Sequence, residues 1–229
     1  MTARSPVAAG AVLVVAKAPV AGRAKTRLAA HVGDAAAADL AACALLDVVS
    51  AVSAAGVRLL VALTGELAAA ARAEQVRAAL DPAEVFDQRG DGFADRLAYA
   101  HADARDRVAD GVPVLQVGMD TPQLTPSLVV ESLRTAAAHD VVLGPADDGG
   151  WWGLAVRDPE WAGVLREVPM SRTDTGELTL RALRRLGVDV ALLPALRDVD
   201  TWADARHVAR LAPASRFAAA VTAAAPGGR

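Results

Sequence analysis

Asp120 is the residue whose type and position most directly indicate chemistry. It follows the apolar run of residues 112–119, which predicts a fully buried strand, because a parallel strand covered on both faces needs side chains that avoid water. Open α/β sheets bind their ligands beyond the carboxyl ends of such strands. A carboxylate there is a natural ligand for Mg²⁺, which takes oxygen donors and shares them with phosphate. We therefore predict that Asp120 lies at the metal end of a nucleotide site.

Asp198 and Asp200 form a second acidic group near the end of the chain. One residue separates them, so in an extended segment their side chains lie on the same face. Two carboxylates in that arrangement can bind a single metal ion. The sequence therefore offers Asp120, Asp198 and Asp200 as ligands of Mg²⁺ or Mn²⁺, and leaves the choice between Asp198 and Asp200 open.

A third acidic group follows a short buried strand predicted over residues 141–143. Its residues are Asp147, Asp148, Gly149, Gly150, Trp151 and Trp152. Two adjacent acids need a cation or hydrogen-bond donors if they are buried, and the glycines allow the backbone to approach a ligand closely. The two indoles point to opposite sides of the next strand, so one belongs to the core and the other can stack on a sugar or base. The alternative is a tight turn between two strands.

A basic loop follows the first predicted strand, residues 11–16. Its cations are Lys17, Arg23, Lys25 and Arg27. A helix that begins near Lys25 would add the positive end of its dipole, and the loop is therefore a candidate phosphate site. The spacing matches neither a P-loop nor a dinucleotide-binding fingerprint. The alternative is a solvated basic turn.

Strands and helices alternate along the chain, and this pattern positions all four groups. Alternation of this kind favours an α/β fold with a mostly parallel sheet and right-handed crossovers. The carboxyl ends of parallel strands share one edge, so the acids and cations should converge there. We predict one domain over residues 1–212. Residues 213–229 have low complexity and are predicted to form a flexible tail.

Composition excludes several classes of function. The 24 Lys and Arg residues are balanced by 27 Asp and Glu residues, giving a net charge of -3, so no global basic field exists to hold nucleic acid. The single cysteine, Cys43, excludes an internal disulfide framework and is typical of a cytoplasmic protein. Its apolar surroundings in the sequence predict a small buried side chain. No apolar run free of charged residues approaches the length of a membrane span. The oligomeric state is not predicted.

Four motifs resemble those of the bacterial glycosyltransferase-A-like proteins in the nucleotide-diphospho-sugar transferase superfamily. In chain order they are KAPVAGRAKTRL, GMDTPQL, LGPADDGGWW and DVDTWAD. The resemblance covers roughly residues 12–208. It implies the GT-A fold, which is a Rossmann-like, mostly parallel mixed sheet with helices on both faces. A nucleotide would bind over the first strands.

The resemblance also implies a role for each candidate residue. Nucleotide and phosphate binding falls to Lys17, Arg23, Lys25 and Arg27, and metal binding to Asp120 with Asp198 or Asp200. The catalytic candidates are Lys25, Asp147 and Asp148. The substrate side comprises Thr121, Gly149, Gly150, Trp151 and Trp152.

Three functions are compatible with these residues. The first is a metal-dependent glycosyltransferase that moves a sugar from a nucleotide-sugar donor to a small acceptor. The second is a nucleotidyltransferase that joins a nucleoside triphosphate to a phosphorylated small molecule and releases pyrophosphate. This second function is favoured by GMDTP, AKTRL and DVDT, which are similar to motifs of nucleotidyltransferases that act on molybdenum cofactor or phospholactate. It is also favoured by the single acid in GMD, because glycosyltransferases of this fold usually have Asp-x-Asp there. The third is a nucleotide-binding protein without turnover.

Overall fold

The computed structural model describes residues 10–225, which contain a seven-stranded mixed sheet. Its strands are β1 (Ala11–Lys17), β2 (Arg58–Thr64), β3 (Glu84–Asp87), β4 (Val114–Gly118), β5 (Val141–Pro145), β6 (Trp151–Val156) and β7 (Val190–Leu192). The spatial order is β3-β2-β1-β4-β6-β5-β7. Only β6 runs antiparallel to its neighbours within this sheet. The predicted α/β fold with a mostly parallel mixed sheet is confirmed.

Helices cover both faces of the sheet. They are α1 (Thr26–Val32), α2 (Asp34–Ala55), α3 (Ala73–Leu80), α4 (Phe93–Arg105), α5 (Pro126–Ala138), α6 (Thr175–Arg185), α7 (Trp202–Leu211) and α8 (Arg216–Ala224), with 3₁₀ helices at Leu67–Ala69 and Pro159–Glu167. Side chains of β1 alternate between the two cores: Val12 and Val14 face α2 and α5, whereas Leu13 and Val15 face α4. This alternation follows from the two-residue period of a strand.

Helix α2 is the central helix of one core. It is long and apolar enough to cross a membrane, but 72% of its most apolar stretch is buried inside the protein. Cys43 lies in this helix and is fully buried, as predicted. The helix lies between the sheet and α8.

The prediction of a flexible tail over residues 213–229 is wrong for the described part of that segment. Residues 216–224 form α8, which packs against α2 and buries Phe217. The Asp47 carboxylate accepts hydrogen bonds from the backbone N–H groups of Arg216 and Phe217, at 3.1 and 2.8 Å. Alanine favours helices, and a contact with α2 that is distant in sequence holds this one in place.

The edge of the sheet that carries the site is formed by the carboxyl ends of β1, β4 and β5. Because β6 is antiparallel, its first residue, Trp151, lies at the same edge. The pairing of β5 with β6 shifts register between Gly144 and Pro145. All three acidic groups predicted from the sequence lie at this edge. The predicted basic loop leaves the same edge after β1.

His101 is a fully buried polar residue on α4. Neither ring nitrogen has a hydrogen-bond partner among residues 10–225. Burial lowers the pKa of this imidazole from 6.5 to about 3, because the charged form would lose its hydration. The folded protein therefore holds His101 neutral at a pH at which the unfolded chain is protonated.

We expect this difference to make stability depend on pH. A depressed folded-state pKa contributes stability fully above about pH 6.5 and loses it as the pH falls toward the folded value. Between about pH 7 and about pH 5, the free energy of unfolding should fall about 2 kcal/mol further in the wild type than in His101→Leu. Urea denaturation of both proteins at several pH values measures this difference. Parallel stability curves would contradict the assignment.

Candidate nucleotide and metal site

A cleft of about 910 Å³ opens at the carboxyl edge of β1 and β4. Its volume falls in the range of small-molecule and cofactor sites. The basic loop before α1, the turn after β5 and the segment before α6 all contribute to its walls. The convergence predicted from the shared strand ends is therefore present for most of the candidate residues.

Lys25 is the charge at the centre of the cleft. Its Nζ lies 2.7 Å from Oδ2 of Asp120 and 3.2 Å from Oδ1 of Asp200. Arg27 makes a longer ion pair with Asp200, at 3.7 Å. The β1 loop and two acidic loops that are distant in sequence are thus joined through one ammonium group.

The backbone of the β1 loop directs Lys25 into the cleft. Gly22 and Lys25 both have positive φ angles, 74° and 50°, and Lys25 immediately precedes α1. A left-handed conformation is unfavourable for a residue with a side chain. The two ion pairs of Lys25 compensate for that cost, and its side chain is only 15% exposed.

The ion pair shifts the pKa values of both partners. Burial alone would lower the pKa of the Lys25 ammonium, but the Asp120 and Asp200 carboxylates raise it above its ordinary value. Burial would likewise raise the pKa of Asp120, and Lys25 instead holds it below its ordinary value. Both groups are therefore charged at neutral pH.

Asp198 has the opposite environment. Burial raises its pKa to about 8, and the nearby Asp120, Asp148 and Asp200 carboxylates add to this effect while Lys25 opposes it. No group in residues 10–225 forms a hydrogen bond with its buried Oδ1. Asp198 is thus a carboxyl group among like charges that lacks a cation of its own.

These acids fit a divalent cation. Within the described chain, no three Asp, Glu, His or Cys side chains are arranged to hold a metal ion as they stand, and Lys25 Nζ bridges two of the three predicted ligands. The unpartnered Oδ1 of Asp198 and the mutual repulsion of the carboxylates are the features that a hard cation would relieve. Asp120, Asp198 and Asp200 are therefore the residues that would hold Mg²⁺ or Mn²⁺.

The predicted phosphate-binding cations do not all reach the cleft. Lys17, Lys25 and Arg27 line it. Arg23 is exposed and is not among the lining residues. It lies in the turn that precedes Lys25, on the outside of the loop, so the structure separates it from the other three.

The adjacent acids Asp147 and Asp148 are separated by the turn that contains them. Asp147 forms an ion pair with Arg197 at 3.1 Å and does not line the cleft. Asp148 lines the cleft, and its Oδ1 accepts a hydrogen bond from Gly150 N at 2.8 Å. Among residues 10–225, Asp148 has no ion-pair partner. Of the two acids, only Asp148 faces the cleft.

Gly149 and Gly150 allow the Asp148 turn to pack closely against the segment that precedes α6. Gly149 has a φ of 88°, and a Cβ there would lie 1.8 Å from the Thr173 carbonyl oxygen. The Gly149 carbonyl accepts a hydrogen bond from Gly176 N at 2.8 Å. A Cβ on Gly176 would in turn lie 2.4 Å from the Gly150 carbonyl oxygen. These glycines join the Asp148 turn to the start of α6.

The two tryptophans have different positions. Trp152 is only 2% exposed, and its indole N–H donates to the Pro194 carbonyl at 2.9 Å, so it belongs mainly to the core. Trp151 is less deeply buried, and both indoles contribute to the lining of the cleft. Thr121, predicted on the substrate side, is fully buried and lies outside the cleft lining. The turn that follows β4 directs it inward.

Several cleft residues were not predicted from the sequence. They include Gln88, Phe93, Arg96, Gln116, Met170 and Arg172. Gln116 could have been noticed, because it is a polar residue inside an apolar strand pattern. Arg172 is held by Asp174 through two contacts, at 2.8 and 3.0 Å. Gln88, Phe93 and Arg96 belong to a glycine-containing turn and the helix that follows it, and Met170 to the polar segment before α6. The sequence allows a ligand contact in both segments but does not single out these residues.

Comparison with known families identifies the relatives of this chain. Residues 45–172, more than half of the chain, match a family described as "Uncharacterized protein conserved in bacteria (DUF2064)". The protein belongs to the DUF2064 family. A search of curated proteins found no match to this DUF2064 protein.

Solved structures share the fold of this DUF2064 protein. A Desulfovibrio desulfuricans G20 protein, provisionally named a nucleotide-diphospho-sugar transferase, matches with a TM-score of 0.82 and 26% identity, over 93% of this chain and 94% of its own. Rv0371c from Mycobacterium tuberculosis H37Rv matches with a TM-score of 0.51 and 25% identity, over 87% of this chain and 97% of its own. Rv0371c has also been crystallised with manganese.

A nucleotidyltransferase solved with a nucleotide also shares the fold. CMP:2-keto-3-deoxy-manno-octonic acid synthetase in complex with CTP matches with a TM-score of 0.53 and 18% identity, over 90% of this chain and 99% of its own. The DUF2064 protein therefore has the fold shared by nucleotide-diphospho-sugar transferases and nucleotidyltransferases.

The contact between the two loops predicts the effect of a small substitution. Gly149→Ala combines a positive φ with a methyl group that collides with backbone, and should lower the free energy of unfolding by at least about 3 kcal/mol. Gly163→Ala is the matched control, because a Cβ at that position meets nothing within 4 Å. Chemical denaturation of both variants measures the difference. Equal effects would show that the Asp148 turn is not held in this way.

Proposed function

We propose that this protein is a metal-dependent glycosyltransferase that moves a sugar from a nucleotide-diphospho-sugar to a hydroxyl group of a small acceptor. The observation that carries the proposal is the position of Asp148. It offers a carboxylate without an ion-pair partner among the described residues, beside the cluster of Lys25, Asp120, Asp198 and Asp200. A hydroxyl acceptor needs a base to remove its proton. A phosphorylated acceptor is already negatively charged, so the Asp148 carboxylate would repel it.

The donor diphosphate would bind at the basic side of the cleft. Lys17, Lys25 and Arg27 are the cations that line this side. A bound divalent cation would supply positive charge to the diphosphate oxygens. Asp120 with Asp198 and Asp200 would hold it. Lys25 would then be free to exchange a carboxylate for a phosphate oxygen.

Asp148 would act as the general base. Its carboxylate takes the proton of the acceptor hydroxyl, and the hydroxyl oxygen forms a bond to the anomeric carbon of the sugar. The bond between that carbon and the phosphate oxygen breaks. The nucleoside diphosphate leaves with the bonding electron pair, and Lys25 stabilises its negative charge.

A second candidate is nucleotidyl transfer from a nucleoside triphosphate to a phosphorylated acceptor. It is favoured by Arg172, a guanidinium that lines the Asp148 side of the cleft and could bind an acceptor phosphate in exchange for Asp174. The same basic residues would then hold the leaving pyrophosphate. The overall similarity to the Desulfovibrio protein supports the first candidate.

A ligand panel tests the choice between the two reactions. With Mg²⁺ present, we expect a nucleotide-diphospho-sugar at about 100 times its Kd to stabilise the protein by roughly 2.7 kcal/mol in thermal unfolding. Asp120→Asn should fold and lose the metal-dependent part of this shift, because one metal ligand becomes neutral. Selective stabilisation by nucleoside triphosphates would instead support nucleotidyl transfer. No shift with either class would contradict both reactions.

The role of Asp148 is tested by comparing two neighbouring substitutions. Asp148→Asn keeps the acceptor for Gly150 N but removes the base, so kcat for transfer from the donor that the panel identifies should fall by about 10²–10⁴-fold. Asp147→Asn removes only the ion pair with Arg197, which lies outside the cleft, and should leave kcat within a few-fold. Donor Kd should be unchanged in both variants. Similar kcat values for the two variants would exclude Asp148 as the base.

A further inference from the structure

Gln116 is a polar residue that β4 buries without giving it a partner. Its neighbours in the strand are apolar, and it is only 1% exposed. No protein group within residues 10–225 forms a hydrogen bond with its Oε1. Buried amide groups are normally hydrogen-bonded, because an unpaired one loses the free energy of its hydration. Gln116 lines the cleft, so a bound ligand could supply the hydrogen bond that its Oε1 lacks.

The position of Gln116 relates it to the metal end of the site. Gln116 and Gly118 lie on the same face of β4, about 7 Å apart along the strand. A Cβ on Gly118 would lie 2.5 Å from Oδ1 of Asp120, so the Asp120 carboxylate covers that same face. Gly118 itself presents no side chain between the two. A group attached to a diphosphate at Asp120 could therefore extend along this face to Gln116.

Apolar side chains surround the amide. Gln116 is in register with Leu13 on β1 and Leu154 on β6. The cleft around it is lined by Val15, Phe93, Leu97, Trp151 and Met170. Phe93 is 48% exposed, which leaves its ring available to a ligand. The cleft combines the Gln116 amide with apolar walls formed by these five side chains, beside the polar Gln88 and Arg96.

We propose that Gln116 is a specificity-determining residue that binds the transferred sugar through its hydroxyl groups; this inference rests on the proposed glycosyl transfer. A carboxamide has donors and an acceptor, and a pair of sugar hydroxyls can satisfy both. The apolar walls pack against the C–H faces of the ring. A site built to bond a hydroxyl strongly rejects analogues that lack it, because its own polar group is then left unpaired.

The first experiment separates the sugar from the nucleotide. Titration calorimetry with Mg²⁺ would compare UDP with UDP-glucose and GDP with GDP-mannose, first in the wild type. For the pair that binds, Gln116→Leu should weaken the affinity for the sugar nucleotide at least tenfold. The affinity for the nucleoside diphosphate should stay within twofold of the wild-type value. Equal weakening of both would assign Gln116 to the nucleotide and overturn the proposal. Unchanged affinity for both would also overturn it.

The second experiment needs no ligand and remains informative if the proposed function fails. Because Gln116 has no protein partner at Oε1, Gln116→Leu should unfold at or above the wild-type Tm. Gln88→Leu is the matched control: its Nε2 donates to the carbonyls of Ala16 and Ala62 at 2.7 and 2.8 Å, so its Tm should fall. An equal fall in Gln116→Leu would assign the amide a structural role and overturn the proposal. Failure of the wild type to bind any sugar nucleotide would instead refute glycosyl transfer itself.

Discussion

The site depends on the attraction between one ammonium group and the carboxylates that surround it. Asp120, Asp198 and Asp200 converge at one edge of the sheet, where burial makes their mutual repulsion costly. The Lys25 ammonium, in contact with Asp120 and Asp200, offsets part of that repulsion. The Asp120 and Asp200 side chains are 31% and 44% exposed, so removing one partner should cost less than the about 3–5 kcal/mol that is typical of a fully buried ion pair. Such a cluster is a weak source of stability, and its arrangement is better explained by the binding of a cation and an anionic ligand.

The rest of the fold positions these charges on rigid elements. Asp120 follows the central strand β4. Lys25 immediately precedes α1, in a loop that turns at Gly22. The Asp148 turn is joined to the start of α6 by glycines that allow direct backbone contact. Lys25, Asp148 and Gln116 therefore approach the cleft from three different segments of chain. The cations would neutralise the donor, the acid would activate the acceptor, and the amide would recognise the group that moves between them.

The sequence predicted the architecture well because strand patterning and the chain direction of a parallel sheet determine which loops share an edge. That reasoning placed Asp120, Asp200 and Lys25 at one edge of the sheet, and the structure joins the three in ion pairs. It could not separate Asp147 from Asp148, because their directions depend on a turn and on a contact with Arg197. The packing of α8 rests on the distant Asp47, and no local signal indicates that contact. Gln116 is visible in the sequence as a polar residue in an apolar strand, but its lack of a hydrogen-bond partner at Oε1 is a property of the folded protein.

Anomalous diffraction from crystals of the protein with Mn²⁺ and a nucleoside diphosphate would test the central claim most directly. We expect a Mn²⁺ peak at coordination distance from Asp120 and from Asp198 or Asp200, with Lys25 Nζ moved from a carboxylate to a phosphate oxygen. A diphosphate bound elsewhere, or a Mn²⁺ peak away from these acids while Lys25 still bridges Asp120 and Asp200, would contradict the claim that this cluster is the nucleotide and metal site.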